Sequence, residues 1–71
     1  MRVKEGQTVR VVKGMAIIED GRIFDTGKIS RINGEYIIIR LTYDGKYCNR
    51  HVGYVEVERY ACEIEEILED A

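Results

Sequence analysis

The sequence predicts an all-β fold of short antiparallel strands, and three observations lead there. Asp20-Gly21, Asn33-Gly34 and Asp44-Gly45 are pairs preferred in two-residue hairpin turns, whose central residues need positive φ. Glycines at 6, 14, 21, 27, 34, 45 and 53 punctuate a chain without proline and leave pieces the length of short strands. The pieces themselves are rich in β-branched residues and alternate with period two.

Residues 8–12, Thr-Val-Arg-Val-Val, alternate around Val9 and Val11 and form the first strand. Residues 15–19 and 22–25 flank Asp20-Gly21 and fold as an additional hairpin, with Ile17, Ile18, Ile23 and Phe24 giving it an apolar character. Residues 28–32 are mixed in pattern. Residues 36–41, Tyr-Ile-Ile-Ile-Arg-Leu, read as the central strand: with Ile37, Ile39 and Leu41 toward the core, Ile38 turns the other way beside Tyr36 and Arg40. That second face needs cover from the additional hairpin, from barrel curvature or from a partner.

A two-residue turn at Asp44-Gly45 sets Tyr43 against Lys46, Thr42 against Tyr47, Leu41 against Cys48 and Ile39 against Arg50. Arg50 would then enter the core uncompensated, so the pairing is expected to break near residues 49–53, turning Arg50 and His51 outward. The C-terminal third fits two patterns. Val57, Tyr60, Ala61, Ile64, Ile67 and Leu68 have helical spacing, whereas Tyr54-Val55-Glu56-Val57 and Cys62-Glu63-Ile64-Glu65 alternate. We adopt strand, turn, strand over residues 53–67, which makes the chain all-β; the alternative is α+β with a C-terminal helix.

With 71 residues, 45% of them hydrophobic and 34% charged, the chain has material for one core and reads as a single domain spanning 1–71. No apolar run approaches the ~20 residues that cross a bilayer, and the N-terminus lacks the apolar segment of a signal peptide, so a cytoplasmic location without membrane partners is expected. Net charge is −2 but unevenly placed: residues 1–50 hold ten Lys or Arg against six Asp or Glu, and residues 51–71 hold one against seven. The acidic end is expected to pair with the basic body.

Gly6-Gln7-Thr8-Val9-Arg10-Val11-Val12-Lys13-Gly14 has the form G-x-x-V-x-V-x-x-G, and Gly27-Lys28-Ile29 supplies a later G-x-I. Over residues 6–41 the chain thus resembles a KOW-type motif in an SH3-like barrel. The resemblance implies a small barrel of about five antiparallel strands. The thirteen positions from Gly14 to Gly27 exceed the usual loop, so the first loop is extended, at a place that is often a contact surface in such barrels. These barrels commonly finish with a strand, one turn of 3₁₀ helix and a closing strand, and proteins with such motifs commonly touch RNA, ribosomes or the transcription apparatus.

No nucleophile, nucleotide-binding or dinucleotide-binding pattern is present in the sequence, so no enzyme is expected. Cys48, His51 and Cys62 with Glu63 offer zinc ligands, but only one close Cys/His pair exists. We read buried, inert thiols, with no metal and no cofactor. Binding of proline-rich peptides by an aromatic trough is disfavoured by the lack of tryptophan.

The expectation is therefore a non-catalytic binding module, monomeric or weakly dimeric, that docks as a small regulator or adaptor on a larger protein machine of transcription or translation. Its partner-binding residues are Ile18, Arg22 and Phe24 on the hairpin, with Tyr43, Lys46, Tyr47, Arg50, His51 and Tyr54 in a neighbouring patch. Alanine at Arg22 and Phe24 is expected to abolish capture and leave the fold intact. The alternative is direct RNA or DNA binding, with the tyrosines stacking bases and Arg40, Lys46 and Arg50 meeting phosphates.

Overall fold

The structure is a computed structural model and describes residues 2–43 and 54–70. Among these residues six strands form one antiparallel sheet: β1 (Thr8–Val11), β2 (Ile17–Glu19), β3 (Arg22–Asn33), β4 (Tyr36–Tyr43), β5 (Val55–Tyr60) and β6 (Ile64–Glu69). Their order is β5-β4-β3-β1-β6, with β2 paired to β3 beside this path. Among the described residues the end strands β5 and β6 do not pair, so the sheet is not closed. Single turns of 3₁₀ helix lie at Lys13–Met15 and Ala61–Glu63. The mostly antiparallel β fold is the one expected, and the C-terminal stretch forms strand, 3₁₀ turn and strand rather than a helix.

Alternation builds the core. Val9 and Val11 of β1, Ile37, Ile39 and Leu41 of β4, Ile29 of β3 and Ile64 of β6 are buried together. Phe24 and Ile32 of β3 also pack on this cluster. Phe24, Ile29 and Ile32 are separated by odd steps, which strict alternation would send to opposite faces. Two bulges, one between Phe24 and Thr26 and one between Ile29 and Arg31, each absorb one residue and return these side chains to the same side.

Between the bulges, Gly27 is buried where β3 presses on β4. A Cβ there would lie 2.0 Å from the Arg40 carbonyl oxygen and 2.7 Å from Leu41 Cα, so only glycine permits this approach.

The turns are partly those expected. Asp20 and Gly21, at φ 52° and 72°, join Glu19 to Arg22 as a two-residue hairpin with both central residues at positive φ. The β3–β4 turn is displaced by one residue from the expected pair. Asn33 stays in the ladder opposite Tyr36, leaving Gly34 and Glu35 as the turn, and Gly34 alone takes positive φ there, at 64°. A glycine at the first central position makes this workable without asparagine in the turn.

The register beyond β4 also differs from the expected one. Leu41 faces Val55 and Ile39 faces Val57, not Cys48 and Arg50. Val55 and Val57 give the core side of β4 β-branched partners, which Arg50 could not. The Asp44-Gly45 turn, with Lys46, Tyr47, Cys48, Arg50 and His51, lies outside the described residues.

Ile38 lies opposite Arg31 on one side and Glu58 on the other, is 7% exposed, and stands apart from the core cluster. The additional hairpin contributes to the core instead, packing Met15, Ala16, Ile17 and Phe24 against it.

The loops are tied to the sheet by polar contacts. Arg59 donates from Nε and Nη2 to the Met15 carbonyl at 3.2 and 2.9 Å, joining β5 to the start of the hairpin. The Val12 amide donates to the Glu63 carbonyl at 2.9 Å, joining the end of β1 to the second 3₁₀ turn. Buried Gln7 accepts from the Lys4 amide and donates to Asp70, both at 2.9 Å.

The acidic end does pair with the basic body. Arg10 meets Glu65 at 3.1 Å and also Glu66, Lys4 meets Asp70 at 3.6 Å, and Arg40 meets Glu56 at 3.3 Å. These pairs lie at the surface, where solvent screens them and limits what each contributes.

Candidate partner-docking site

The hairpin turn fixes what each isoleucine of β2 and β3 does. Ile18 stands directly opposite Ile23, and Ile17 opposite Phe24. Successive residues point to opposite sides of a strand, so the two pairs separate. Ile17 and Phe24 pack on the core, while Ile18 and Ile23 are 73% and 51% exposed. Arg22, exposed beside the turn, faces Glu19. An apolar pair, a cation and an anion thus share the end of a short hairpin whose β2 has β3 as its only strand partner among the described residues.

The other expected residues divide. Phe24 lies opposite Tyr43 in the β3–β4 ladder, and Tyr54 immediately precedes Val55, the partner of Leu41. Tyr54 is half-buried, with the Arg40 guanidinium 5.0 Å from its ring centroid. Lys46, Tyr47, Arg50 and His51 fall outside the described residues, so the wider patch is not assembled from them here.

Phe24 carries a correction to the expectation that its replacement by alanine leaves the fold intact. It is a core-packed side chain, so its truncation acts on the fold as well as on any partner. Ile23 is the residue that belongs with Ile18, and the turn itself held the signal: a two-residue loop at Asp20-Gly21 sets 18 against 23. Cys62 is likewise corrected, because the second 3₁₀ turn leaves it exposed rather than buried.

An aromatic pair at the far end of β4 and β5 escaped the sequence reading. Tyr36 and Tyr60 are direct partners across the ladder, with ring centroids 5.1 Å apart and planes tilted by 33°. The Tyr60 hydroxyl donates to the Tyr36 hydroxyl at 3.2 Å, and the Tyr60 amide donates to Glu63 Oε1 at 2.7 Å. The hydrogen bond to Tyr36, followed by the Tyr36 charge and by burial, raises the Tyr60 phenol above its ordinary value. Both rings remain well exposed.

Among the described residues, no group of three or more His, Cys, Asp or Glu side chains is placed to hold a metal ion. No helix among them is long and apolar enough to cross a membrane. No family model, curated protein or solved structure matches the chain.

Proposed function

We propose that this chain is a non-catalytic binding module, an SH3-like barrel with a KOW-type first half, that docks on a larger protein machine through the outward side of its β2–β3 hairpin. The barrel reading is supported by the strand order, the 3₁₀ turn between β5 and β6, and the two motif glycines that the backbone requires: Gly6 at φ 90° and Gly27 against β4. The hairpin occupies the extended first loop between Gly14 and Gly27. Transcription or translation is the setting that the KOW resemblance implies.

The observation that carries the docking reading is the exposed Ile18–Ile23 pair. Full burial of such side chains contributes about 1.5–3 kcal/mol each, and the fold leaves that gain to a partner. Protein is favoured over nucleic acid because Lys4, Arg10 and Arg40 are already engaged by acids of the C-terminal segment. The test is retention of transcription or translation components by wild type and by an Ile18→Asp/Ile23→Asp variant. Loss with the variant, at a binding strength that changes little with salt, is expected. Equal retention would count against the hairpin, and a steep decline with salt would shift the reading to nucleic acid.

A further inference from the structure

The outward side of β4 and β5 carries two tyrosine–glutamate sets. In the first, Arg40 lies over the Tyr54 ring at 5.0 Å and donates from Nε to Glu56 Oε2 at 3.3 Å. A guanidinium is thereby held between an aromatic ring and a carboxylate. In the second, Tyr60 and Tyr36 form the aromatic surface and Glu58 stands two residues from Tyr60, as Glu56 stands two residues from Tyr54. The two sets differ at one position. Arg40 faces Glu56 across the ladder, whereas Ile38 faces Glu58. This chain thus places an apolar side chain where the first set has its cation, and among the described residues no cation of its own lies over either ring of the second.

We propose that Tyr36, Tyr60 and Glu58 receive an arginine side chain of an extended partner peptide, seated as Arg40 is seated over Tyr54. The surrounding charge favours this occupant. Glu35, in the turn before Tyr36, and Glu63, which accepts from the Tyr60 amide, add to Glu58; of the nearby basic residues, Arg59, beside Tyr60, is engaged by the Met15 carbonyl, and Arg31 lies opposite Ile38. Negative charge around exposed rings attracts a guanidinium and repels phosphate. Six residues of strand put the two sets ~20 Å apart, so an extended peptide that seats its arginine at the second set can continue along the sheet. This surface is distinct from the hairpin, and it stands or falls without it.

The test is a titration of the full chain with a capped pentapeptide carrying one central arginine among glycine and serine, read on the ring-proton resonances of Tyr36 and Tyr60. Saturable shifts are expected, with affinity falling about two- to fivefold for the citrulline analogue, for Glu58→Gln and for Tyr60→Leu. Tyr60→Phe, which keeps the ring, should retain binding and guards against a folding defect in Tyr60→Leu. The proposal is overturned by any of three results: equal affinity for the citrulline peptide, no effect of Glu58→Gln, or no saturable shift up to about 10 mM peptide. Tighter binding of oligouridylate at the same rings would also overturn it.

Discussion

Two isoleucine-rich strand segments meet opposite fates. In β4, Ile37, Ile38 and Ile39 are all buried, on both sides of the strand; in the β2–β3 hairpin, Ile17 is packed while Ile18 and Ile23 lie open. Composition cannot account for the difference, since both segments alternate around β-branched residues. The number of neighbours can. β4 runs between β3 and β5, whereas β2 leans on β3 alone and beside the main path of the sheet. Between two partners the outward Ile38 is hidden among neighbouring side chains, although Tyr36 and Arg40 on the same side stay exposed, whereas β2 with a single partner buries only the side that meets the core. The same residue type is therefore buried in one place and left exposed in the other.

Truncation at the centre should give the largest effect. Ile39→Ala is expected to cost about 3–4 kcal/mol, read by chemical denaturation, and a small domain so weakened should be partly unfolded at 37 °C. A loss similar to that of an Ile18→Ala variant would break the contrast between the two segments. Gly27→Ala comes next, at about 2 kcal/mol, because the new methyl meets the β4 backbone, which has no flexible end to move aside.

Arg59→Ala should cost about 1 kcal/mol through loss of its bonds to the Met15 carbonyl. Amide hydrogen exchange sharpens this prediction, since protection should fall in β2 and not in β4. The smallest effect is confined to alkaline solution. With its phenol raised above the ordinary value near 10, Tyr60 binds its proton more tightly folded than unfolded. Its contribution is present below pH ~10 and lost as pH rises through the folded value. Tyr36→Phe removes the main cause, so absorbance titration of that variant should show Tyr60 ionising earlier than in wild type.

Much of this was legible in the sequence because it is local. Asp20-Gly21 sets its hairpin through backbone conformation, and Val9 and Val11 show their burial by alternation. The C-terminal strands were readable once period two was preferred to the helical spacing that residues 57–68 also satisfy. The one-residue shift at Gly34 was not legible, since Asn33-Gly34 and Gly34-Glu35 are both acceptable turns and the choice rests on which residues pair in β3 and β4. The bulges in β3 hide the core from any strict alternation, which is why residues 28–32 look mixed. The pairing of Tyr36 with Tyr60 depends on a register across residues 44–53 that a tight turn at Asp44-Gly45 misplaces. Long-range register, rather than residue type, decides that part of the candidate surface.

The central claim is that Ile18 and Ile23 are presented by the fold without supporting it. Thermal unfolding of the Ile18→Asp/Ile23→Asp variant tests this most directly. The account predicts a Tm within about 4 °C of wild type. A fall of about 10 °C or more would show that the pair belongs to the core and would contradict it.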